Sequence, residues 1–99
     1  MVGGNQNNVA GNSNGVNGNN NAIKGNQNGV SGSGNLIGGN SNQVNGNTNA
    51  MSGDWNAIWG NANAILGDAN LVKGNKNSIS GSSNVVHGER NVVISSRKI

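Results

Sequence analysis

Cysteine, proline, phenylalanine and tyrosine are all missing from this 99-residue chain. Without Cys there can be no disulfide and no thiolate metal site, and the redox compartment is left open. Two Trp are the whole aromatic content, and hydrophobic residues make up 31% of the chain, thin material for an ordinary globular core. Charge is equally sparse, with a net value of +3 and only 9% charged residues. No run of Lys or Arg with interleaved aromatics is present, which argues against a nucleic-acid groove. The opening MVGGNQNN is neither an apolar leader nor a membrane span, so a signal peptide, if the protein is exported, is not in this chain. What abounds is Asn, at 25 residues, and Gly, at 18. By composition alone the chain reads as low-complexity disorder.

Order reverses that reading, because the residues keep a strict period. From Gly4 to Ile94 the chain divides into thirteen unbroken heptads, beginning GNQNNVA, GNSNGVN, GNNNAIK and ending GSSNVVH, GERNVVI. The first position of each is Gly. The fourth is always Asn: Asn7, Asn14, Asn21, Asn28, Asn35, Asn42, Asn49, Asn56, Asn63, Asn70, Asn77, Asn84 and Asn91. The sixth is always aliphatic or Met: Val9, Val16, Ile23, Val30, Ile37, Val44, Met51, Ile58, Ile65, Val72, Ile79, Val86 and Val93. The repeat domain therefore spans 4–94, with a lead-in at 1–3 and a cap or tail at 95–99.

A seven-residue period suggests a coiled coil, but only one position per repeat is apolar and Gly recurs in every heptad, at about 1 kcal/mol each in a helix. Within each repeat, N-x-V-x-G has a period of two. In a five-residue strand the Asn, the Val and the following Gly share one face, and the two variable residues point the other way. The G-N-x segment then turns a corner, where Gly and Asn tolerate positive φ. Two heptads close one coil of about 14 residues, and stacked coils pair strands in parallel. The expected fold is all-β: a β-solenoid flattened into a two-sheet β-roll of about six and a half coils. Val and its equivalents form the core, and the inward Asn residues satisfy one another as an amide ladder.

The repeat seen in QNNVAGNSNGVNGNNNAIKG and again in SSNVVHGERNVV resembles that of the ice-binding and ice-recrystallisation-inhibition proteins of cold-hardy grasses, ryegrass among them. The likeness covers residues 4–94. It implies a left-handed β-roll that is exported to the apoplast, adsorbs to ice and restrains crystal growth. Those proteins often carry Thr or Ser beside the core Val. Here the outward positions are mostly Ala, Leu, Gly or Asn, and the single Thr, Thr48, lies at a corner.

Activity should reside in the variable, outward residues, since a solenoid repeats them at one fixed spacing. An ice face should be flat, small-chained and poor in charge. Odd-numbered heptads supply one sheet, with Ala22, Leu36, Ala50, Ser52, Ala64, Leu66, Ser78 and Ser80 as candidate ice-binding residues, interrupted by Lys24. Even-numbered heptads supply the other, which carries Trp59, Lys73 and His87. The first sheet is the expected ice face. Trp55 and Trp59 admit two readings: a platform for a sugar ring or for self-association, or two rings covering the shallow surface beside them. With no acceptor cluster evident around them, the second is favoured. His87 is alone and reads as a solvated residue. Asp54, Asp68 and Glu89 stand where most repeats have Asn, and Asp substitutes naturally for Asn at a turn. No catalytic set, metal-ligand set or phosphate loop emerges, so no enzyme activity and no cofactor are expected. The expected partner is ice, with no nucleic acid and no membrane, and the chain is expected to be a monomer. Two structural alternatives compete: a segment of a trimeric-adhesin-like surface protein, and an Asn-rich functional amyloid. At the C-terminus, Arg97 and Lys98 after the last repeat suggest a charged cap.

Overall fold

Each heptad contributes one short strand, and the strands alternate between two sheets. The computed structural model describes residues 2–94. One parallel sheet contains β1 (Val2–Gly3), β3 (Gly15–Asn17), β5 (Gly29–Ser31), β7 (Gln43–Asn45), β9 (Ala57–Trp59), β11 (Leu71–Lys73) and β13 (Val85–His87). The other contains β2 (Asn8–Ala10), β4 (Ala22–Lys24), β6 (Leu36–Gly38), β8 (Ala50–Ser52), β10 (Ala64–Leu66), β12 (Ser78–Ser80) and β14 (Val92–Ile94). Every strand pairs with the one fourteen residues away, so Ile23 lies on Ile37 and Ile37 on Met51. The fold is a β-solenoid of about six coils, in a slab of 40 × 24 × 12 Å.

The strands are shorter than the period-two pattern suggests. From β2 onward they span three residues rather than five. The Gly that opens each following heptad has a φ between 100° and 140° and cannot extend the strand. The leading Asn gives its N–H to a side-chain oxygen, as Asn63 does to Oδ1 of Asn49, instead of to a strand carbonyl. Gly67 shows why the position is invariant. Its φ is 131°, and a Cβ placed on it would sit 1.7 Å from the carbonyl oxygen of Gly81 in the next coil. Both the backbone conformation and the close approach exclude any side chain.

Two residues further on, the chain turns again. Residues such as Gln27, Thr48, Trp55, Ala69 and Arg90 adopt φ near 60° although none is Gly or Asn. Their own preference does not place them there, since this region costs an L-residue about 1–2 kcal/mol. Coil-to-coil bonds hold them: Gln27 donates its N–H to the carbonyl of Asn12 at 2.9 Å, and Lys76 donates to that of Asn61 at 2.9 Å. The corners are thus hydrogen-bonded along the axis as fully as the strands.

Between the sheets lies a single file of side chains from each. Val16, Ile23, Val30, Ile37, Val44, Met51, Ile58, Ile65, Val72, Ile79 and Val86 are buried, with Val9 and Val93 partly buried at the two ends. The aliphatic interior is one residue deep per strand. Rigidity must come from elsewhere.

Candidate functional site

The inward Asn residues supply that rigidity. Asn49 makes all four hydrogen bonds open to a primary amide. Its Oδ1 accepts the backbone N–H of Asn63 at 3.0 Å and the Nδ2 of Asn63 at 3.2 Å. Its Nδ2 donates to Oδ1 of Asn35 at 3.2 Å and to the carbonyl of Gly60 at 2.9 Å. The same four-bond arrangement recurs at Asn21, Asn35 and Asn56. Backbone N–H to Oδ1 bonds carry the column from coil to coil on each sheet. Asn21 through Asn77 are each about 1% exposed at this position, a burial tolerable only because every polar atom is paired. Among the described residues no buried side-chain nitrogen or oxygen lacks a partner.

A second ladder runs outside the first, and nothing in the period alone points to it. At the heptad's second position, from Asn19 to Asn75, each side-chain oxygen accepts the backbone N–H of the equivalent residue one coil back. Asn26 accepts from Asn12 at 2.9 Å, Asn40 from Asn26 at 2.9 Å, and Asp54 from Asn40 at 2.8 Å. Asp68 accepts from Asp54 at 2.9 Å. Ser33, with a shorter side chain, reaches Asn19 only at 3.4 Å. The requirement is an acceptor oxygen on a short side chain, which explains why Asn, Asp and Ser interchange there. Asn at this position is not chosen for positive φ, as a turn reading proposes; the positive φ falls on the residue after it. The available signal was the restriction to Asn, Asp, Ser and Glu at a corner that otherwise varies freely.

These ladders place the outward side chains in exact register from coil to coil. On the sheet from β2 to β14, Ala22 lies beside Leu36, then Ala50, Ala64, Ser78 and Val92. The second row runs Lys24, Gly38, Ser52, Leu66, Ser80 and Ile94. All eight candidate residues therefore share one surface, and from β6 to β14 it bears no charge. Leu36 and Leu66 stand 59% and 60% exposed on it. The opposite sheet is less even: Trp59 protrudes, Lys73 places its Nζ 5.8 Å above the Trp59 ring, and His87 follows in the same row. No three His, Cys, Asp or Glu side chains come together among the described residues.

The repeat pattern matches the sequence profile of the grass antifreeze beta roll over residues 1–74 and again over 37–99, which together cover the chain. The chain belongs to the grass antifreeze beta roll family. No curated protein matched the chain. Ice binding is accordingly its function, and the two-sheet solenoid is the scaffold on which this antifreeze roll presents a repeating surface to ice. Nothing in the match favours a trimeric adhesin.

Proposed function

We propose that this antifreeze roll holds ice on the outward face of the sheet β2–β14, through Ala22, Leu36, Ala50, Ser52, Ala64, Leu66, Ser78 and Ser80. One observation carries the choice of sheet. From Leu36 to Ile94 five successive strands present two in-register rows of outward residues with no charged side chain among them. Strands repeat at about 4.7–4.9 Å, so water held in the troughs between the rows inherits a lattice along the axis. Small and aliphatic side chains leave that water to order against ice, whereas a charged chain keeps its own hydration shell. The mechanism is adsorption: a bound roll pins the crystal surface and growth between pinned points becomes unfavourable.

The working unit under this reading is residues 4–94, acting as a monomer in the apoplast. It needs no catalysis, no cofactor, no nucleic acid and no membrane. The family's association with ice outside the cell supports the location. The charged cap expected at 95–99 lies outside the described residues. The test is to place Tyr on each sheet in turn. Ala50→Tyr and Ala64→Tyr should fold normally by circular dichroism and lose most recrystallisation inhibition. Gln43→Tyr, on the other sheet, should retain it. Full activity in a folded Ala64→Tyr protein would refute the assignment.

A further inference from the structure

We infer that the sheet β1–β13, facing away from the proposed ice surface, carries a groove for a neutral, extended polysaccharide. Four features converge on it, and none depends on which sheet meets ice.

The first is a pair of glycines that the backbone does not require. Gly15 and Gly29 sit in strands with ordinary extended φ. A Cβ on Gly15 would meet nothing within 4 Å, and one on Gly29 would meet only the Cγ of Gln43 at an ordinary 3.8 Å. Gly in a strand interior weakens it, and with no conformational need here what it leaves is open space. The second feature is the shape of that space. A depression of about 310 Å³ lined by Gly29, Ser31, Gln43, Asn45 and Trp59 meets another that reaches Ser41 and Trp55, and the two share Gly29 and Gln43. Together they cross the sheet and run along the solenoid axis.

Lining chemistry is the third feature. Neither depression is lined by a charged residue, and the polar groups that face them are hydroxyls and primary amides. An amide offers donor and acceptor side by side, which suits a vicinal diol and offers no charge to an anion. The acceptor cluster that the sequence pattern hides is therefore assembled by stacking, from residues fourteen apart.

The fourth feature is the pair of Trp, the chain's only aromatics. Both belong to one heptad and stand on either side of Ala57. Trp55 is 72% exposed and is held at φ 63°, a conformation that a bulky residue adopts only under constraint. Trp59 is 40% exposed, steadied on one side by Lys73 while its other strand neighbour is Asn45. Rings placed beside an uncharged, amide-lined trough supply the apolar faces on which the C–H faces of pyranose rings stack. A straight groove with a repeat along its length selects an extended chain over a compact sugar.

The experiment is affinity electrophoresis of the whole chain in gels containing hydroxyethyl cellulose, soluble xylan or dextran, against a polymer-free gel. Retardation is expected in the first two. Trp55→Ala and Trp59→Ala should each weaken it about tenfold. Gly29→Val fills the trough with a residue that favours strands, so it should raise the melting temperature and still abolish retardation. Ala64→Tyr, on the opposite sheet, should keep full retardation. Absence of retardation in all three gels overturns the proposal, as does equal retardation of Gly29→Val and the parent. Sedimentation of the same proteins covers the remaining occupant: a dimer dissolved by the Trp substitutions, without polymer binding, assigns the groove to a second copy and overturns the inference. Recrystallisation inhibition, measured in parallel, should be unchanged by Gly29→Val. Its loss there without polymer binding would give this sheet to ice instead and sink both proposals.

Discussion

An amide that makes four hydrogen bonds cannot be replaced by anything its own size. Truncating Asn49 to Ala strips partners from the N–H and Nδ2 of Asn63, from Oδ1 of Asn35 and from the carbonyl of Gly60. The N–H of Asn63 and the carbonyl of Gly60 lose their bond outright, while Oδ1 of Asn35 and Nδ2 of Asn63 each keep one. At roughly 1–3 kcal/mol per group left unpaired, the expected loss is about 3 kcal/mol, read as a fall in urea midpoint. Asp at the same place would not serve, because a carboxylate lacks the two donors. At the outer ladder only an acceptor is needed, so Asp68→Asn should leave the midpoint nearly unchanged. The third position offers the converse case. Thr48 is β-branched and held at φ 59°, and the neighbouring coil has Gly34 in the same conformation at φ 68°. Thr48→Gly should therefore stabilise the roll by about 1 kcal/mol, despite removing a side chain. A lower midpoint in that variant would mean that Thr48 makes contacts worth more than its strain.

At the scale of the strand, what matters is the pair of outward residues flanking each buried aliphatic. Within the sheet β2–β14 the uncharged run stops at β4, where Lys24 lies beside Gly38 and Ala10. If ice meets this face, the ammonium keeps a hydration shell where ordered water is needed. Lys24→Ser should lengthen the usable lattice by two coils, because β2 beyond it also carries no charge. It should improve recrystallisation inhibition at equal concentration, with little effect on stability. Unchanged or weaker inhibition would count against the face. Much of this level could be read in advance, because alternation assigns Ala64, Ile65 and Leu66 to out, in and out without any knowledge of the partner strand. The register followed from the invariant Gly and Asn. Strand length did not, since N-x-V-x-G looks uniform on paper, and only the φ of the Gly shows where the strand ends. The outer ladder was hidden for a related reason. Its bonds join Asp54 to Asp68 and Asn12 to Asn26 through backbone N–H groups, which leave no mark in the letters beyond a preference for short acceptors. Left-handed backbone at Trp55 and Ala69 was hidden more completely, being imposed by neighbours rather than chosen by the residue. The groove beside Trp59 was concealed because Ser31, Gln43 and Asn45 become neighbours only when coils stack.

For the whole molecule, parity is the controlling property. Because each heptad builds the same strand and corner, any heptad can stack on any other, and only its odd or even place decides which sheet it joins. Deleting 53–66 removes a complete coil and brings β7 against β11 and β8 against β12. Both faces keep their identity, and the uncharged run shortens by one strand. Deleting only 53–59 leaves every ladder position occupied by the required residue, yet it moves all later heptads to the opposite sheet. Leu71 and Lys73 then follow Ala50 and Ser52, and Val85 and His87 come next, so charge enters the middle of the former uncharged face. Each deletion should fold with strand-type circular dichroism, since stability in a stacked fold falls by roughly one repeat at a time. The shorter deletion keeps more residues and should melt higher. Its recrystallisation inhibition should nevertheless be the weaker of the two, because the fourteen-residue deletion preserves a single-sided lattice and the seven-residue one divides it between sheets. Activity that tracked length or melting temperature instead would show that no one face is responsible, and that any regularly spaced surface of the roll suffices.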